Sequence, residues 1–164
     1  MKLRLFLLAL LFAIVLPGFG VDPSGEVSTD GSVRSYDPHR DPAKDLQVAI
    51  AEAHRSDRNI LLEVGGKWCS WCRNLDKFFA SHADLLEMRD KNFVVVFVNY
   101  SDENKNQKFL SKFPKPAGFP HLYALDADGR LIQSQNTGVL EDGKSSYVPE
   151  KVRAFLTEYG PGKK

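Results

Sequence analysis

Behind Asp41-Pro42, the apolar residues Leu46, Ala49, Ile50 and Ala53 recur at intervals of three and four. An aspartate suited to cap a helix, a proline suited to its first turn and one apolar stripe together predict an amphipathic helix starting near residue 42. The period then changes. Ile60, Leu61, Leu62, Glu63 and Val64 form a short, almost unbroken apolar run that ends at Gly65-Gly66, which predicts a buried strand. Its single acid, Glu63, is out of character with its neighbours. Leu75, Phe78 and Phe79 restore helical spacing, and Leu85, Leu86 and Met88 either continue that helix or begin another. Phe93 to Val98 is β-branched and aromatic, which predicts a second buried strand.

From Ser101 to Phe113 the chain is polar apart from an apolar face at Phe109 and Leu110, the pattern of a surface helix. Pro114, Pro116 and Pro120 crowd the loop that follows. His121 to Leu125 and Leu131 to Ser134 flank Asp126-Ala127-Asp128-Gly129, whose aspartates and glycine suit a tight turn between antiparallel strands. Pro149 opens a last helix through Val152, Phe155 and Leu156, and Gly160-Pro161 stops it. Helices alternating with strands and then a hairpin predict an α/β domain, a central mixed β-sheet flanked by helices on both faces.

Residues 1–20 stand apart: Lys2 and Arg4, an apolar stretch from Leu5 to Leu16, then Pro17-Gly18-Phe19-Gly20. This is the pattern of a secretory signal peptide, too short for the roughly 20 apolar residues of a spanning helix. Cleavage is expected after Gly20, giving a periplasmic or secreted protein. An uncleaved anchor is the alternative, and the only case in which membrane association is expected. Residues 21–41 are rich in Asp, Ser, Gly and Pro without apolar periodicity and read as a flexible leader. The domain is expected over 42–160, with a tail at 161–164.

A length of 164 residues suits one domain, expected to be a monomer. The 22 Lys and Arg against 21 Asp and Glu leave a net charge of +1, too little to draw the chain onto nucleic acid. Two cysteines, Cys69 and Cys72, exclude a multi-disulfide scaffold and a four-cysteine zinc site. They lie in Lys67-Trp68-Cys69-Ser70-Trp71-Cys72-Arg73, between a predicted strand and a predicted helix. In that context a C-x-x-C reads as a redox pair. A thiolate at a helix N-terminus faces free backbone N–H groups and the positive end of the helix dipole, so its pKa falls. Cys69 is therefore expected to be an exposed attacking thiolate, with Lys67 and Arg73 adding positive charge, and Cys72 a buried resolving thiol one turn on. Other uses of the pair fit less well. Zinc would need paired histidines, and His39, His54, His82 and His121 have no such spacing. Covalent haem would need a histidine after Cys72, where Arg73 stands. A purely structural disulfide across so short a loop gains little from chain entropy.

These residues resemble the thioredoxin superfamily over about residues 42 to 160, and within it the exported proteins with a W-C-x-W-C motif. The resemblance implies a thioredoxin-like fold and a dithiol enzyme without metal or organic cofactor. Trp68 looks like the tryptophan before the first cysteine. Glu63, six residues before Cys69, stands where the family carries a buried acid that takes the proton of the second cysteine; an exposed residue on an edge strand is the alternative. Phe119-Pro120 resembles the family's cis-proline site facing the cysteines, and Gly138 its glycine near the active surface. Ser70-Trp71 replaces the Gly-Pro of thioredoxin itself, which leaves the redox direction open.

The expected function is an exported thiol-disulfide oxidoreductase in which Cys69, Cys72 and Glu63 are catalytic. Trp68, Trp71, Phe119 and Pro120 are expected to contact substrate, and the expected partners are protein thiols or disulfides and a redox partner protein. His121 reads as a structural histidine, with substrate contact as the alternative. The rival is a non-catalytic module that holds client chains on Trp68, Trp71 and Phe119.

Overall fold

The structure, a computed structural model, describes residues 28–162. The expected signal peptide, the first part of the leader and the last two residues of the tail lie outside the described residues. The elements follow in the order α1 (Pro42–Ser56), β1 (Asn59–Gly65), α2 (Ser70–Ser81), α3 (Ala83–Asn92), β2 (Phe93–Asn99), α4 (Gln107–Leu110), β3 (His121–Leu125) and β4 (Leu131–Asn136). A 3-10 turn (Thr137–Leu140) and α5 (Pro149–Glu158) close the fold. The Asp41 side chain accepts from the Ala43 N–H and Pro42 occupies the first turn, so α1 starts as its sequence predicts.

The strands form a mixed sheet in the order β2-β1-β3-β4. β1 runs parallel to β2 and antiparallel to β3, which is hairpin-paired with β4. Because side chains alternate across a strand, β1 feeds two cores. Ile60, Leu62 and Val64 join Ala49 and Ala53 of α1 and Phe109 and Leu110 of α4 on one face. Leu61 joins Leu75, Phe78 and Phe79 of α2, Leu85 of α3 and Phe155 and Leu156 of α5 on the other. The same alternation puts Glu63 on the α2 face of β1, which has a neighbouring strand on each side. The reading of Glu63 as an exposed residue on an edge strand is therefore corrected.

The expected flexible leader is corrected for its described part. Val33 forms a parallel bridge with Val96. Its N–H donates to the Val95 carbonyl at 2.8 Å, and its own carbonyl accepts from Phe97 N–H at 2.7 Å. Ser32 and Val33 are fully buried and Tyr36 is nearly so. This arm covers the outer edge of β2 with one bridging residue and one aromatic anchor, too short a pattern to register as periodicity among Asp, Ser and Gly. The surface helix expected from Ser101 to Phe113 also contracts, to Gln107–Leu110. Asparagine side chains take up the backbone groups before it: Asn99 Nδ2 donates to the Asn104 carbonyl at 2.9 Å and Asn106 Nδ2 to the Asn99 carbonyl at 2.7 Å. Asn106 itself adopts φ 46°, which no helix continues through.

Candidate redox site at the start of α2

β1 ends at Gly65, and after three intervening residues the chain turns into α2 with Cys69 as its cap. The Cys69 Sγ accepts the Cys72 backbone N–H at 3.0 Å, so the sulfur faces the free donors of the helix N-terminus, as the sequence predicts. Cys69 and Cys72 form a disulfide, with their Cα atoms 5.3 Å apart. The expected exposure of Cys69 is not found in this oxidised pair. Cys69 is 3% exposed and Cys72 1%, and both belong to the apolar layer on which Trp71 and Phe119 pack. The local polarity of Lys67 and Ser70 does not reveal this apolar surrounding. The Arg73 guanidinium donates to the Lys67 carbonyl at 2.8 Å and so braces the turn that carries the pair.

Behind the disulfide lies a buried acid. Glu63 is 1% exposed, and burial lifts its carboxyl to about 7, with the nearby Asp76 carboxylate pushing the same way. The Tyr36 hydroxyl donates to Glu63 Oε1 at 2.5 Å, which opposes that rise, as do Arg89 and Arg34. Asp76 is itself held above the usual carboxylate range by burial. Gly65 is where the sulfur and the acid's partner meet. A Cβ there would lie 2.5 Å from Cys72 Sγ and 3.0 Å from the Tyr36 hydroxyl, so only glycine lets both groups approach this strand.

Aromatic side chains form the rim. Trp68 is 56% exposed; its indole N–H donates to the Tyr100 carbonyl at 2.6 Å, and its ring meets the Phe119 ring edge-on at 5.7 Å. Phe119 stacks on Tyr100 at 4.6 Å. The Phe119-Pro120 peptide bond is cis, and the Pro120 carbonyl accepts from Thr137 Oγ1 at 2.6 Å. Trp71 packs edge-on against Tyr147 at 5.6 Å, whose hydroxyl donates to the Trp71 carbonyl at 3.2 Å.

The site thus brings Cys69, Cys72, Trp71 and Phe119 into one layer and Trp68 onto Phe119, with Glu63 on the same face of the sheet. His121 is not among them. It alternates with Leu122 onto the α1 face, pairs through Nε2 with Ser134 Oγ at 2.8 Å and packs on Tyr123. Its Nδ1 has no partner among the described residues, and burial lowers its pKa. The sequence reading missed Tyr36, Asp76, Tyr100 and Tyr147. Asp76 carried one signal, its place one helical turn after Cys72; Tyr36 stood alone in a polar segment and carried none.

A family model described as thioredoxin-like matches residues 41–127. Two solved structures share the fold. The disulphide isomerase from Xylella fastidiosa Temecula1 is 24% identical, with a TM-score of 0.63 over 74% of this chain and 93% of that one. The C-terminal domain of DsbD from Neisseria meningitidis, in the oxidised form, is 12% identical, with a TM-score of 0.53 over 71% of this chain and 95% of that one. No curated protein matches the chain.

Proposed function

Because the chain belongs to the thioredoxin-like family, we propose that it is a thiol-disulfide oxidoreductase of the exported, W-C-x-W-C kind, acting on protein thiols or disulfides. The observation that carries this reading is the Cys69-Cys72 pair at the start of α2 with a buried acid on the same side of the sheet. In the reduced protein the Cys69 thiolate, stabilised by the helix N-terminus, attacks a substrate disulfide and releases one substrate thiolate. The Cys72 thiol then loses its proton to Glu63 and attacks Cys69 Sγ. The Cys69-Cys72 disulfide forms as the bond from Cys69 to the substrate breaks, the second substrate sulfur leaves as a thiolate, and the pair of electrons has passed from protein to substrate. Run in reverse, the same steps oxidise a substrate dithiol. A carboxyl with a pKa of about 7 is half ionised at neutral pH and suits both directions.

Trp68, Trp71, Phe119 and Pro120 would form the surface that receives the substrate chain, with the exposed face of Trp68 as its apolar contact. The charged start and apolar run of residues 1–20 support export to the periplasm or beyond. A redox partner protein would restore the starting state.

Trapping tests the order of attack. Cys72→Ser protein, mixed with disulfide-bonded client proteins, is expected to accumulate adducts through Cys69 that dithiothreitol releases. Cys69→Ser is expected to give few. Adducts through Cys72 would reverse the roles, and client binding that persists without covalent adducts in both variants would replace the enzyme with a binding module.

A further inference from the structure

Tyr36 lies outside the matched family region, in the arm that precedes α1, yet its side chain reaches the centre of the site. The bridge from Val33 to β2 fixes the arm on the sheet, and the paired hydrogen bonds of Arg34 to Asp90, at 3.0 and 3.1 Å, tie it to α3. The Tyr36 ring is 6% exposed and stacks on Phe97 at 4.8 Å. Its hydroxyl touches Glu63 Oε1 at 2.5 Å and approaches Gly65 from the side that also faces Cys72 Sγ. A buried tyrosine donating to a buried acid does more than satisfy that acid, because the bond fixes where the carboxyl sits and favours its ionised form.

We propose that Tyr36 is a positioning residue whose hydroxyl holds the Glu63 carboxyl in place to take the Cys72 proton. The inference rests on the oxidoreductase reading of the same site. During resolution, the Cys72 S–H proton passes to the Glu63 carboxylate, which the Tyr36 O–H holds through Oε1. The Cys72 sulfur bonds to Cys69 Sγ, the bond from Cys69 to the substrate sulfur breaks, and tyrosine ends neutral and unoxidised. The charge balance around Glu63 includes every element packed against it: Tyr36 and Arg34 from the arm, Asp76 from α2, Arg89 from α3, and Tyr147 ahead of α5. Among these, Tyr36 is the one with a hydrogen bond to Glu63.

Tyr36→Phe keeps the ring on Phe97 and removes only the hydroxyl, so two readings on the full chain decide the matter. In the reduced protein, the carbon-13 shift of the Glu63 carboxyl is followed against pH and assigned with Glu63→Gln. Loss of a donor to the carboxylate is expected to move its midpoint upward by about one pH unit. In single-turnover exchange with a small aromatic disulfide, mixed-disulfide formation through Cys69 is expected to keep its rate within about twofold. Resolution by Cys72 is expected to slow about tenfold at neutral pH, with its pH profile displaced upward. A Tyr36→Phe protein at the wild-type value in either reading overturns the proposal and leaves the enzyme reading intact. A wild-type protein that performs no exchange overturns the enzyme reading itself.

Discussion

Replacing Glu63 by Gln alters one group in a closed apolar layer, and the expected effect on stability depends on pH in a way that the structure specifies. Burial raises the Glu63 carboxyl from 4.5 to about 7. Between those values the folded protein holds a proton that the unfolded chain has released. The unfolded state therefore binds fewer protons, and stability falls as pH rises through this window. At about 1.4 kcal/mol for each tenfold change in proton affinity, an ionised Glu63 costs the fold about 3 kcal/mol above pH 7. Gln never ionises, and its side-chain carbonyl still accepts the Tyr36 hydroxyl. Glu63→Gln is thus expected to match the wild type near pH 4 and to exceed it by about 3 kcal/mol at pH 8. Urea unfolding of the oxidised proteins across this range, with the disulfide intact in both states, measures the difference directly. A gap that stays constant with pH, or a Glu63→Gln protein less stable at pH 8, would refute the argument that burial dominates at this carboxyl. The gain carries a functional cost, because a stabilised variant without a titrating acid is expected to resolve mixed disulfides slowly.

Two further substitutions probe the walls of the site. Gly65→Ala places a Cβ 2.5 Å from Cys72 Sγ; the displaced sulfur is expected to cost about 1–3 kcal/mol in chemical unfolding and to slow disulfide exchange. Trp68→Ala removes an exposed ring whose protein contacts are the edge of Phe119 and the Tyr100 carbonyl. Its stability loss is expected to stay near 1 kcal/mol, while KM for a disulfide-linked peptide rises about tenfold with kcat little changed.

Elements with many side chains repeating one pattern were legible in the sequence. The apolar runs of β1 and β2, the Asp41-Pro42 start of α1 and the turn of the hairpin all fall where the pattern puts them, because each is set by local packing period or local capping. Glu63 was legible as an anomaly: an acid inside such a run needs a reason. Its reason was not legible, since Tyr36 meets it from 27 residues away through a single bridge at Val33. The contraction of α4 has the same origin. Asn104 reaches back to the Pro38 carbonyl at 2.7 Å, so side-chain hydrogen bonds to distant backbone outcompete a helix of modest propensity. The burial of Cys69 likewise depends on an apolar layer that includes Phe119, brought in from the loop before β3, 50 residues along the chain.

The claim that Cys69 and Cys72 exchange electrons with substrates, and do not merely staple a turn, is tested most directly by their reduction potential. The protein is equilibrated with glutathione or dithiothreitol buffers of known ratio, and the thiol and disulfide forms are separated by mass after alkylation. A redox-active pair is expected to titrate reversibly as a two-electron couple between about −270 and −120 mV. A disulfide that stays oxidised until below about −300 mV, as structural bridges do, would contradict the account.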